Sequence, residues 1–141
     1  MRRRFAIVSA LLTLAALLAL PSSLFATGSY SWEFVHNYCG GPYNWTTFAK
    51  VNFTADTSSS ANKLTIDSWV LEEDPGHPHW HRVQTWPQVQ TTFTPDGTVH
   101  QLAAKRKVYG GVDSDVKIAF KMQAWDHGLV VWTKTVKSVA C

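Results

Sequence analysis

Past its first 20 residues, the 141-residue chain contains no apolar run long enough to cross a membrane as a helix, a length of about 20 residues. It shows almost no 3.6-residue periodicity, which excludes a helical bundle. It has no internal repeat, low-complexity tract or linker, so nothing in it marks a second domain. A Gly-x-Ser-x-Gly elbow and a glycine-rich phosphate loop are both missing, and with them the two most recognisable catalytic signatures. Cysteine is scarce, with Cys39 and Cys141 alone. Neither stands where an N-terminal lipid anchor would need it.

What is present begins with a leader. Met1-Arg2-Arg3-Arg4 is basic, residues 5–20 are apolar except for Ser9 and Thr13, and Pro21-Ser22-Ser23 precedes the small Ala26. That order reads as a secretory signal peptide over residues 1–26, cleaved after Ala26, with a single domain over 27–141. Arg2-Arg3 before Phe5 resembles a twin-arginine signal, but the strongly apolar stretch behind it fits ordinary export. The short arginine-led leader is bacterial in style, so the expected location is periplasm, cell surface or medium. The whole chain has 13 Lys+Arg against 10 Asp+Glu. Loss of Arg2, Arg3 and Arg4 leaves equal numbers of each sign, which argues against nucleic acid and against stable membrane insertion of the mature chain.

In an oxidising compartment, two cysteines read as one disulfide, Cys39–Cys141. Closing a loop of about 100 residues stabilises by roughly 4 to 5 kcal/mol in chain-entropy terms. It also ties down a C-terminal strand that would otherwise fray.

The body alternates with period two. Ala49, Val51, Phe53 and Ala55 form one such face, Leu64, Ile66, Ser68 and Val70 a second, and Val116, Ile118, Phe120, Met122 and Ala124 a third. Each is the mark of a half-buried antiparallel strand. Residues 129–139 are apolar on both sides at their start, which suggests a central, doubly covered strand. Thr94-Pro95-Asp96-Gly97 reads as a tight hairpin turn, and Trp125-Asp126-His127-Gly128 as another turn. About eight strands are expected, near 30–36, 46–55, 63–72, 79–86, 88–94, 98–108, 115–125 and 129–139. The fold class is all-β, an antiparallel β-sandwich, with a small β-barrel as the alternative.

Three places offer chemistry. His77, His79 and His81 alternate, so on a strand they share one side and could hold zinc or copper, with His100, His127 or His36 as a further ligand. The other register of the same segment lines up Trp80, Arg82, Gln84 and Trp86, a strip able to lie against sugar rings or a protein. In that reading Trp32, Trp69, Trp125 and Trp132 fill the core, although Trp125 shares its face with Lys117, Lys121 and Gln123. The Tyr38, Tyr43 and Trp45 side chains decorate a loop with Gly40, Gly41 and Pro42, which Cys39 would hold rigid. Asn44-Trp45-Thr46 and Asn52-Phe53-Thr54 match the glycosylation sequon, but a bacterial leader makes both chance matches. No carboxylate pair or nucleophile stands out, so catalysis is not expected. The expectation is a secreted non-catalytic binding module facing a glycan or an extracellular protein. The alternatives are an envelope or extracellular metal-binding protein and a secreted inhibitor.

Overall fold

The computed structural model describes residues 29–40, 46–56, 60–96, 98–109 and 115–141. The expected leader, Tyr43 and Trp45 lie outside the described residues. No helix among the described residues is long and apolar enough to cross a membrane.

The described chain is all strand and turn. Seven strands follow in order: β1 (Tyr30–Gly40), β2 (Thr46–Ala55), β3 (Lys63–Glu73), β4 (Trp80–Thr92), β5 (His100–Tyr109), β6 (Val116–Asp126) and β7 (Leu129–Lys137). They form two antiparallel sheets, β1-β2-β5 and β4-β3-β6-β7. Neighbours β1–β2, β3–β4 and β6–β7 are joined within a sheet, while the other connections cross between sheets. The fold is a β-sandwich with the expected buried faces. Ala49, Val51, Phe53 and Ala55 of β2 meet Leu64 and Ile66 of β3 and Ile118, Phe120, Met122 and Ala124 of β6 in one core cluster. In the constant-type immunoglobulin sandwich the fourth strand pairs with the sheet of the first. Here β4 pairs with β3 instead.

Three local readings need correction. The expected strands 79–86 and 88–94 are one strand, β4, which runs through Pro87. Proline lacks the ladder N–H and is tolerated only at an edge or a bulge. β4 is the edge strand, and its register with β3 shifts between Ile66↔Val89 and Ser68↔Trp86, where Pro87 and Gln88 oppose Asp67. β4 and β5 do not form the expected hairpin, because they belong to different sheets; Gly97 of the expected turn lies outside the described residues. Asp96 Oδ1 there accepts from both the backbone N–H and the hydroxyl of Thr98, closing a local polar turn. Finally, β7 is an edge strand rather than a central one, and Leu129, Val130 and Val131 are exposed. The β6–β7 turn itself is as read, with positive φ at His127 (46°) and Gly128 (92°), the pattern of a two-residue type I′ hairpin.

The disulfide is formed. Cys39 and Cys141 are bonded with their Cα atoms 5.7 Å apart, across a separation of 102 residues. The last residues fold back onto β6, where Val116 and Cys141 exchange both backbone hydrogen bonds (2.9 and 3.1 Å).

Candidate functional site

The strip Trp80, Arg82, Gln84, Trp86 does not exist as one surface. A second β4 bulge places Arg82 opposite Leu71 and Gln84 opposite Val70, leaving Val83 as the extra residue. One inserted residue reverses every side chain beyond it. Trp80 and Arg82 therefore lie on the outer face of their sheet, while Gln84 and Trp86 turn to the inner side. Trp86 packs against the core cluster, with the Arg106 guanidinium carbon 5.5 Å from its ring centroid.

The outer face of the four-stranded sheet is instead a set of cation–indole pairs drawn from the register of β3, β4 and β6. Lys117 Nζ lies 3.8 Å from the Trp80 ring, the Arg82 guanidinium carbon 4.2 Å from Trp69, and Lys63 Nζ 4.4 Å from Trp125. Trp125 also donates its N–H to Thr65 Oγ1 at 3.0 Å. Trp69 and Trp125 are thus outer-face residues, not core. No described tryptophan is fully buried, and Trp32 on edge strand β1 is exposed. Trp132 does pack inward, stacked on Phe53 at 4.9 Å. Each outer indole already carries a cation over one face, which a sugar stacking there would have to displace.

The histidines separate into groups. His79 and His81 converge on Asp74, whose two carboxylate oxygens each lie 2.9 Å from one Nδ1. Asp74, His79 and His81 present ligand atoms all within 4.8 Å of one another. The turn between β3 and β4 makes this meeting: Asp74 N–H donates to the His79 carbonyl at 2.9 Å, and Gly76 takes φ 78°. His77 sits at the exposed tip and is not in the cluster. His100 bonds Asp96 and stacks on Phe93, and His127 bonds Asp126, both at the opposite end of the sandwich. His36 lies on the other sheet, opposite Lys50. None of the three can complete the set, because strand register fixes them far from the β3–β4 turn.

On the three-stranded sheet the outer face carries a different surface. An open groove of about 580 Å³ is lined by Tyr38, Gly40, Thr46, Phe48, Lys105, Arg106 and Lys107. Register explains it: Tyr38 sits opposite Phe48, Phe48 opposite Lys107, and Lys50 opposite Lys105. Tyr38 and Phe48 are in ring contact at 5.3 Å, with His36 against both. Tyr38 remains half exposed (50%) and Tyr109, beside Lys107, is 74% exposed. Gly40 makes room for the Tyr38 ring, since a Cβ there would stand 3.2 Å from it.

No family model matches the sequence, and no curated protein is significantly similar to it. The site is therefore read from its geometry alone. Among the described residues the groove lining holds two lysines and no carboxylate. Lys105 and Lys107 lie about 5 Å from the Phe48 and Tyr109 rings (5.0 and 5.1 Å), farther than the cations of the other face. Arg106, between them, turns its side chain through the sheet and donates to Ser68 Oγ (2.8 Å) and to the Pro87 carbonyl (3.3 Å). Burial holds its guanidinium below the ordinary arginine value, and its role is to join the sheets.

Of the expected aromatic loop, Tyr38 is placed in this groove. Phe48, Lys105 and Lys107 escaped the sequence reading. The Lys105/Lys107 alternation was a visible signal, but cross-strand register was needed to set it beside Tyr38.

Proposed function

We propose that the chain is a non-catalytic binding module acting outside the cytoplasm, and that the groove on β1-β2-β5 takes an acidic glycan. The observation that carries this is the half-exposed Tyr38 ring sharing a groove with Lys105 and Lys107, with no carboxylate among the described lining residues. A flat ring supplies apolar area to one face of a sugar at little entropic cost. Two ammonium groups supply charge for its carboxylate or sulfate, as point charges on flexible stems. The groove volume lies within the range of about 300 to 1,000 Å³ usual for small-ligand sites. The outer face of the other sheet supports the reading by contrast, because its indoles are already capped by cations. The Cys39–Cys141 bridge fits an oxidising compartment, in keeping with the exported leader read at residues 1–26.

Affinity electrophoresis through gels containing acidic or neutral polysaccharides tests the proposal. Acidic polymers should retard the wild-type protein, and added salt should release it. Lys105→Gln/Lys107→Gln and Tyr38→Ala should each abolish most of the retardation; the lysine variant should leave thermal stability nearly unchanged, while Tyr38→Ala gives up the ring contact with Phe48 and costs about 1 kcal/mol. A wild-type protein that no acidic polymer slows, or slowing that survives both variants, would overturn the glycan reading. A protein partner captured in a Tyr38-dependent manner would replace it with the protein alternative.

A further inference from the structure

We infer that Asp74, His79 and His81 form a binding site for a divalent first-row transition ion, zinc or copper. This inference is independent of the groove. The sequence pattern offered His77, His79 and His81 as ligands. The folded turn replaces His77 with a carboxylate, and the resulting set of two imidazoles and one carboxylate is a mixed donor set suited to such ions.

Three observations carry the assignment. The first is spacing. Each Nδ1 lies 2.9 Å from an Asp74 oxygen. Two donors each about 2.1 Å from one ion and at right angles stand about 3 Å apart. These two nitrogen–oxygen separations match two edges of a coordination polyhedron, and the three donor atoms together lie within 4.8 Å of one another. An ion entering here displaces the proton between His79 and Asp74 and draws the two imidazoles toward a common centre.

The second is preorganisation. Asp74 N–H to the His79 carbonyl (2.9 Å) and His77 N–H to the Asp74 carbonyl (3.1 Å) close the turn. His81 is fixed by its place on β4, opposite Glu72. The donors thus come from a strand and a hydrogen-bonded turn rather than from a free loop, which lowers the ordering cost of binding.

The third is access. The side chains of Asp74, His79 and His81 are 41%, 72% and 44% exposed. An ion reaches them without opening the fold. Three protein ligands leave positions for water or for a donor from a partner, the pattern of open rather than closed sites. The first-row affinity order places copper(II) above zinc. Calcium and magnesium prefer all-oxygen sets and should not compete.

The test uses the disulfide-bonded protein free of any histidine tag, titrated calorimetrically with copper(II), zinc and calcium near neutral pH. One copper ion should bind tighter than about 10 μM, zinc more weakly, and calcium not measurably. His79→Ala and His81→Ala should each weaken binding by about tenfold or more. His77→Ala and His127→Ala should leave it unchanged. Acidification should release the ion, because protons compete for ligating imidazole. Electron paramagnetic resonance of the wild-type copper complex should show coupling to two nitrogens, a readout that needs no variant to fold. Copper affinity weaker than about 10 μM, unaltered affinity in both alanine variants, or a spectrum without two imidazole nitrogens would each overturn the site.

Discussion

The two ends of the sandwich are held by different chemistry. At one end the Cys39–Cys141 bridge joins β1 to the tail. Around it, Val139 N–H donates to Asn37 Oδ1, Ser138 Oγ accepts from Ile118 N–H, and Cys141 pairs with Val116. The opposite end has no covalent tie. Its links are Ser29 to Asp56, Ser60 to Asp126, Thr98 to Asp96, and Asn62, which receives the backbone N–H of Phe93 and of His127. Both the groove and the Asp74 turn lie at the bridged end, near Gly40, Thr46 and Glu73. The covalent tie thus stands at the end where the side chains of both proposed sites gather. A binding surface gains affinity when its side chains are ordered before the ligand arrives. The polar end only has to keep three connections from fraying, and hydrogen bonds suffice.

The largest test of this contrast removes the bridge. Cys39→Ser/Cys141→Ser should lose about 4 to 5 kcal/mol in denaturant unfolding, as expected for a loop of about 100 residues. Hydrogen exchange should speed up along residues 31–40 and 136–141 while 60–66 and 122–127 stay near their original protection. Loss of less than about 1 kcal/mol, or loosening spread evenly over both ends, would break the comparison.

A smaller effect probes the middle. Arg106 reaches across the sandwich to the buried Ser68 hydroxyl. Arg106→Met should destabilise by about 2 kcal/mol, since it strands a buried hydroxyl and breaks a charged hydrogen bond. If stability instead holds, Ser68 has another partner and the sheets are joined by packing alone. Smaller still is Ser60→Ala at the polar end, about 1 kcal/mol, read as faster exchange confined to residues 60–63 and 125–128. Any loss of protection at the bridged end in that variant would mean the ends are coupled.

How much of this was legible before the fold was known follows from burial. β2, β3 and β6 are covered on their inner face by the opposing sheet, so their alternation of Val51/Phe53, Ile66/Ser68 and Phe120/Met122 is unbroken and readable. The disulfide followed from two cysteines alone. β4 hid itself because it is an edge strand with two bulges. Val83 reverses the faces between Arg82 and Gln84, and Pro87 with Gln88 does so again before Val89. No period survives such insertions. β7 misled in the other way, since apolar Leu129–Val131 resembles a doubly covered strand yet lies at the rim. Trp69 occupied the outer register of β3 in the sequence itself, and only the habit of burying tryptophan assigned it to the core. At the candidate sites, His79 and His81 were legible from spacing. Asp74 was not, because a turn rather than a strand brings it round. Phe48, Lys105 and Lys107 come from strands about 55 residues apart in the chain, and one sequence carries no record of their register.

Acid gives the mildest test, and one that should separate the ends without any mutation. The Asp126 carboxyl is held below its ordinary value, chiefly by the Ser60 hydroxyl and next by His127. The Asp96 carboxyl is held down by the Thr98 hydroxyl, then by the Thr98 backbone N–H and His100. A carboxyl whose folded value lies below its unfolded one contributes stability that is fully present above the unfolded value, about 3.9 for aspartate. That contribution is lost as pH falls through the lower, folded value. Asp96 is exposed and Asp126 half-buried, so water screens the effect and its size is small. The direction is still specific. Below about pH 4, hydrogen exchange corrected for its intrinsic rate should quicken first at Asn62, Phe93, Trp125 and His127. Residues 37–40 and 138–141 should hold, because a disulfide does not titrate over this range. Asp126→Asn should weaken the polar end at neutral pH and flatten its acid response, since the amide accepts the Ser60 hydrogen bond without a charge to lose. If the bridged end opens first in acid, carboxylates outside this set govern the fold, and the division of labour between sulfur and hydrogen bonds does not hold.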